Sequence, residues 1–170
     1  MPPELHYDPL QVDFGQVVSD VEAIRRVNPQ RFEMEQLTAI VHVDPALQLI
    51  IGYKDVRPDE FWVRGHMPAY PLLPGVLMCE AAAQLCSYYV VTQGLLKGDF
   101  IGFGGLEDVR FRGLVRPGDR LVLIGKGIKI HRRQTKFNVQ GFVGAKMVFH
   151  ADVIGVPMDQ QDSAAPAQGG

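Results

Sequence analysis

The sequence predicts an α+β domain in which an antiparallel sheet wraps around one long buried helix. Three observations predict it. Residues 75–94 carry apolar side chains on every face, the pattern of a helix enclosed by protein. About six segments rich in β-branched residues flank that helix along the chain. The breaks between the later segments are short, which favours neighbouring antiparallel strands. A chain of 170 residues is long enough for one such core without disulfides or metal staples.

In chain order, residues 1–19 are expected to be an N-terminal extension and 20–156 the folded domain. Residues 20–27 form a short amphipathic helix, with Val21, Ile24 and Val27 on one face and Pro29 ending it. Segments 37–43 and 47–53 make a hairpin around Asp44-Pro45. The long helix starts behind Pro74 and stops at Gly94. Strands then follow over 103–112, 120–130, 134–143 and 146–155. Residues 157–170, ending in Ser163-Ala-Ala-Pro-Ala-Gln-Gly-Gly170, have almost nothing to bury and are expected to be a disordered tail.

Composition excludes several classes. The net charge is −2, from 17 basic and 19 acidic residues, which argues against a general nucleic-acid binder. The first residues include early acids and lack an apolar run, so no secretory signal is expected. The apolar stretch 76–91 is interrupted by Glu80, Gln84 and Ser87 and is short for a membrane span. Cys79 and Cys86 sit seven residues apart on one helix, about 10 Å along its axis, too far to pair. They read as packed thiols in a reducing compartment, and the cytoplasm is the expected location.

Glu80 is the residue the buried helix should not contain. It must be protonated, partnered, open to a cavity, or at a helix edge that reaches solvent. Gln84 lies one turn later on the same face and can bond it. Just upstream runs Gly65-His66-Met67-Pro68-Ala69-Tyr70-Pro71-Leu72-Leu73-Pro74-Gly75-Val76. Its three prolines preset the loop, holding His66 near the helix N-terminus, where the amides of Gly75 and Val76 can stabilise negative charge. Histidine, carboxyl and amides are together the parts for proton abstraction beside a carbonyl.

At these residues the chain resembles the 3-hydroxyacyl-[acyl-carrier-protein] dehydratases, a family with the hotdog fold. That family's pattern is approximately Gly-His-Phe-Pro-x-x-Pro-x-x-Pro-Gly-Val followed by Glu-Ala-x-Ala-Gln. Here it stands as Gly65-His66-Met67-Pro68, Pro71, Pro74-Gly75-Val76 and Glu80-Ala81-Ala82-Ala83-Gln84, with a second stretch in Val109 to Asp119. The resemblance spans about residues 24–155. It implies a homodimer with active sites at the interface, where His66 removes the α-proton and Glu80 of the other subunit helps the β-hydroxyl leave. It also implies that the amides of Gly75 and Val76 bind the thioester carbonyl and that the carbonyl of Leu72 orients His66. Acyl carrier protein is the implied partner, with substrate on its 4'-phosphopantetheine and no separate cofactor. A trimer of dimers is left open. Glu rather than Asp at position 80 resembles the branch that dehydrates without moving the double bond. A hotdog thioesterase and a non-catalytic acyl-binding subunit are the alternatives, because fold alone does not decide activity.

The chain departs from the family in its opening motif, roughly Leu-Pro-His-Arg-x-Pro-Phe, which here reads Asn28-Pro29-Gln30-Arg31-Phe32-Glu33-Met34. Met67, Ala69 and Tyr70 also differ from the usual residues. Segment 109–136 holds nine basic residues against the single acid Asp119. Among them Arg110, Arg112, Arg132 and Arg133 are candidates for docking an acidic carrier, with aggregation-blocking strand edges as the plain alternative. His6, His42, His131 and His150 have no metal-ligand spacing, and no metal is expected.

Overall fold

The computed structural model describes residues 3–95 and 97–160. Its elements are a short helix α1 (Val21–Arg25), β1 (Ala39–Asp44), β2 (Leu49–Asp55), the long helix α2 (Gly75–Thr92), β3 (Phe100–Phe111), β4 (Arg120–His131), β5 (Gln134–Val143) and β6 (Lys146–Met158). The strands form one six-stranded antiparallel sheet in the order β1-β2-β4-β5-β6-β3. Strand β3 starts three residues before the expected boundary and β6 ends three after it, because Phe100 pairs with Met158. Of the segment expected to be a tail, Pro157 and Met158 thus belong to the sheet, and residues 161–170 lie outside the described residues.

Local chemistry sets the helix ends. Asp20 caps α1 by accepting from the Ala23 amide at 2.8 Å. Helix α2 ends in a Schellman turn, with Leu95 N–H on the Val90 carbonyl and Gly94 N–H on that of Val91. Gly94 sits at φ +67°, which a side chain would resist.

The concave face of the sheet closes on α2. Ala81, Ala82 and Leu85 are fully enclosed, and Tyr89 meets Phe137 edge-on at 5.5 Å. A second apolar cluster lies on the other face, where Val41, Ile51, Tyr53, Val122 and Ile124 are covered by Tyr7, Val12 and Phe14. The N-terminal segment is therefore a strap over the sheet. Arg120 fastens it: its guanidinium stacks on Phe14 and Tyr53 and makes a bidentate pair with Asp55 at 2.6 and 2.9 Å. Near the β1 edge, Ser19 bridges Ile40. Among the described residues no strand pairs with the outer edge of β3, and Phe103, Leu106 and Phe111 on it are exposed.

Candidate active site

His66 is anchored through a relay that starts on the sheet. Lys54 of β2 forms a buried ion pair with Glu60 at 2.8 Å. Glu60 accepts from the Trp62 indole at 3.0 Å and from the Arg57 amide at 2.9 Å. The Trp62 carbonyl in turn accepts the backbone N–H of His66 at 2.8 Å. On its other side His66 clasps Leu72: Leu72 N–H donates to the His66 carbonyl at 2.8 Å, and His66 Nδ1 meets the Leu72 carbonyl at 2.7 Å. A carbonyl can only accept, so Nδ1 carries a proton, and in the neutral ring the lone pair then lies on Nε2. That is the tautomer a general base needs.

Leu73 N–H then bonds the Val115 carbonyl at 2.8 Å, seating the loop where α2 begins. Pro74 offers no side-chain cap, and its carbonyl takes the amides of Leu77 and Met78. Among the described residues, the N–H groups of Gly75 and Val76 have no acceptor, as expected of an uncapped helix start. A Cβ at Gly75 would lie 2.7 Å from Phe111 Cζ, so a side chain there would have to push the exposed ring aside.

Glu80 is not fully enclosed. It is half-buried and lines a cavity of about 80 Å³ between α2 and strands β3 and β6. Gln84 Nε2 donates to its Oε1 at 2.7 Å. Gln84 itself is only 2% exposed and is fixed from both ends. Its Nε2 also donates to the Met34 carbonyl at 2.6 Å, and its Oε1 accepts from the Gln36 amide at 2.9 Å. The segment 28–36 is thus held against α2 through Gln84, with Asn28 Nδ2 on the Gln84 carbonyl at 3.0 Å. Among the described residues no hydrogen bond or ion pair joins His66 to Glu80 within the chain.

The basic candidates do not come together. Arg110 pairs in register with His150, and Arg112 Nε donates to His150 Nδ1 at 3.1 Å. This pair lies beside Phe111, and so beside the start of α2. Arg132 and Arg133 occupy the β4–β5 turn, where Gln134 pairs with His131. Thr135 of that hairpin lies opposite Gly155, five residues or roughly 17 Å along β6 from His150. Other basic residues are engaged elsewhere, Arg116 over the Tyr70 ring and Lys136 with Glu107 and Asp152. The basic segment is therefore divided between two ends of the sheet.

His150 is nearly enclosed. Burial pushes its pKa below the usual histidine value, and Arg112 and Arg110 push it further in the same direction. Burial raises the pKa of both thiols, Cys79 and Cys86. No group of three or more His, Cys, Asp or Glu residues among those described is placed to hold a metal ion. Among the described residues no helix is long and apolar enough to cross a membrane.

Sequence reasoning missed three features: the Lys54–Glu60–Trp62 relay, the contact of Gln84 with segment 28–36, and the position of Gln30 beside Glu80. A lone lysine in a strand and scattered amides carry no periodic signal that would expose them.

A six-stranded sheet around one central helix, with a histidine clasped at the helix mouth and a carboxyl on the helix, is a hotdog fold of the dehydratase type. The chain belongs to the family of the FabA-like domain, whose model matches residues 28–152. It is 34% identical over 138 residues to a 3-hydroxyacyl-[acyl-carrier-protein] dehydratase FabZ of Acinetobacter baylyi, covering 79% of this chain and 92% of that one. It is 34% identical over 119 residues to the FabZ dehydratase of Clostridium kluyveri, covering 70% and 78%. Among solved structures, it resembles the dehydratase heterocomplex ApeI:P from Xenorhabdus doucetiae with a TM-score of 0.67 at 13% identity, covering 82% of this chain and 93% of that one.

Proposed function

We propose that this chain is a dehydratase of 3-hydroxyacyl thioesters in fatty-acid synthesis, acting on substrate borne by acyl carrier protein. The observation that carries the reading is the His66–Leu72 clasp, which engages Nδ1 and leaves Nε2 unbonded on the loop leading into α2, whose first amides, Gly75 and Val76, are unbonded too. His66 Nε2 takes the α-proton, and the C–H electron pair becomes the Cα–Cβ double bond. The Cβ–O bond breaks, and the oxygen takes a proton from Glu80 and leaves as water. The amides of Gly75 and Val76 hold the thioester oxygen while it carries charge. Nothing in this proton transfer calls for a redox or metal cofactor.

Because His66 and Glu80 do not meet within one chain, the site is completed by a homodimer in which His66 faces Glu80 of the partner subunit. The open β3 edge supports that assembly, since an exposed strand with Phe103, Leu106 and Phe111 is a surface that must be covered. Val76, 74% exposed at the helix start, extends the same apolar face. For the carrier, Arg110 and Arg112 are favoured over Arg132 and Arg133, because only the first pair lies by the start of α2. The unpaired buried thiols suit a reducing compartment, and the cytoplasm is the proposed location.

The test is direct. Purified protein is incubated with 3-hydroxybutyryl and crotonyl thioesters while enoyl absorbance and free thiol are followed. Interconversion without thiol release is expected; thiol release alone would mean a thioesterase. His66→Ala and Glu80→Gln should each lower kcat about 100- to 10,000-fold while leaving the fold intact. Near-normal turnover in Glu80→Gln would remove that residue from its assigned role.

A further inference from the structure

We infer that Glu60 is a positioning residue for the base, its buried carboxylate fixing the turn from which His66 hangs. The inference rests on the dehydratase reading and adds a residue six positions ahead of the histidine, outside the motif that reading uses. The clasp with Leu72 sets the His66 ring relative to its own loop, but it does not tie that loop to the body of the protein. Backbone hydrogen bonds tether it at both ends. Leu73 N–H on the Val115 carbonyl holds the far end. At the near end, beside the base, the Trp62 carbonyl takes the amides of Gly65 at 3.1 Å and His66 at 2.8 Å. Trp62 is the anchor there, and Glu60 grips its indole.

Three donors converge on the Glu60 carboxylate. Oε2 meets Lys54 Nζ at 2.8 Å and accepts from the Trp62 indole at 3.0 Å, while Oε1 accepts from the Arg57 amide at 2.9 Å. The Glu60 carbonyl also takes the Val63 amide at 3.0 Å, closing the turn that contains Trp62. The side chains of Lys54 and Glu60 are 7% and 8% exposed, and Lys54 lies on β2 opposite Leu121 of β4, inside the sheet. The carboxylate is thus a joint between the sheet and the loop of the base. Stability alone does not call for it. A buried ion pair is costly to desolvate, and apolar side chains of similar volume are often as stable. What they lack is the capacity to accept from three fixed donors at once, which orients the indole and the chain around it. A catalytic group misplaced by about 1 Å loses up to about a hundredfold in rate, and the pair guards against that loss.

Three variants separate this role from stability. Lys54→Met with Glu60→Leu makes the pair apolar at similar size and leaves the indole without its acceptor. Lys54→Met with Glu60→Gln removes the charges but keeps a carbonyl oxygen to accept from the indole. Trp62→Phe keeps the ion pair and removes the indole N–H. Steady-state dehydration of 3-hydroxybutyryl thioester and thermal unfolding are measured for each. With Glu60→Leu, kcat should fall about ten- to a hundredfold while KM stays within about twofold, and with Glu60→Gln most of the loss should be recovered. Trp62→Phe should lower kcat about tenfold, again with KM within about twofold. Unchanged kcat in the folded Glu60→Leu protein would overturn the inference, since the pair would then serve stability alone. If that protein does not fold, Trp62→Phe decides, and wild-type kcat in it overturns the inference as well. Glu60→Gln as slow as Glu60→Leu would also overturn it, because the acceptor for the indole would then not be what matters. If the wild-type protein dehydrates neither this nor longer 3-hydroxyacyl thioesters, the dehydratase reading fails and this inference with it; an active wild type with unaffected variants sinks the inference alone.

Discussion

Replacing Gln84 by leucine should both destabilise the protein and slow its reaction, for reasons readable from one side chain. The substitution keeps volume and removes three hydrogen bonds, to Glu80 Oε1, the Met34 carbonyl and the Gln36 amide. Gln84 is 2% exposed and Gln36 is 1% exposed, so water cannot readily replace what is lost. An orphaned buried amide or carbonyl costs about 1–3 kcal/mol. Two of them, partly relieved by relaxation and by the added apolar contact, amount to a net loss of about 2–4 kcal/mol. At this size each kcal/mol moves Tm by about 2–4 °C, so a drop of roughly 5–15 °C is expected. The measurement is thermal unfolding at one fixed protein concentration, because association would shift Tm by mass action. Freed from Gln84, Glu80 also loses its orientation, and kcat should fall about ten- to a hundredfold. A Gln84→Leu protein with Tm within about 2 °C of wild type and unchanged kcat would refute the claim that this amide links segment 28–36 to the acid.

Three further outcomes follow from the geometry. Gly75→Ala should lower kcat/KM about tenfold or more with little change in Tm, because the new methyl displaces the half-exposed Phe111 ring into the region of the helix amides. A second change, Phe111→Leu, should recover part of that activity, and failure to do so would argue against the ring as the cause. His150 has a lowered pKa in the fold, so its contribution to stability is complete above about pH 6.5 and is lost as pH falls through the folded value. His150→Gln should therefore lose less stability than wild type between pH 7.5 and 5.5 in paired thermal melts, and parallel losses would exclude His150 as the source. Cys79 and Cys86 are buried with raised pKa values, so a thiol reagent should label neither at neutral pH in the native protein and both after denaturation; rapid native labelling would contradict their burial.

Much of this was legible in the chain. The all-round apolar character of residues 75–94 announced a buried helix, since no solvent-facing helix can present that surface. Alternating β-branched segments with short breaks announced the antiparallel strands, although β3 and β6 extend further than their patterns suggested because each end pairs with the other. His66, Glu80 and Gln84 stood out because a histidine in a proline-set loop and a carboxyl in an apolar helix conflict with their surroundings. The basic segment misled in one respect. Proximity along the chain implied a single patch, but hairpins reverse direction, and the strand lengths carry Arg110 and Arg112 away from Arg132 and Arg133.

The sequence by itself determined the elements and the buried helix and singled out the candidate reacting groups, because these depend on local propensity, periodicity and the cost of a polar group in an apolar run. Only the tertiary structure decided which nitrogen of His66 meets the Leu72 carbonyl, what holds Gln84, that the N-terminal segment straps the sheet, and that Gln30 stands beside Glu80. Each of these is a contact between residues distant in the chain or across a preset loop. Such contacts are fixed by how the faces of sheet and helix close on one another, and no local pattern of side chains encodes that closure.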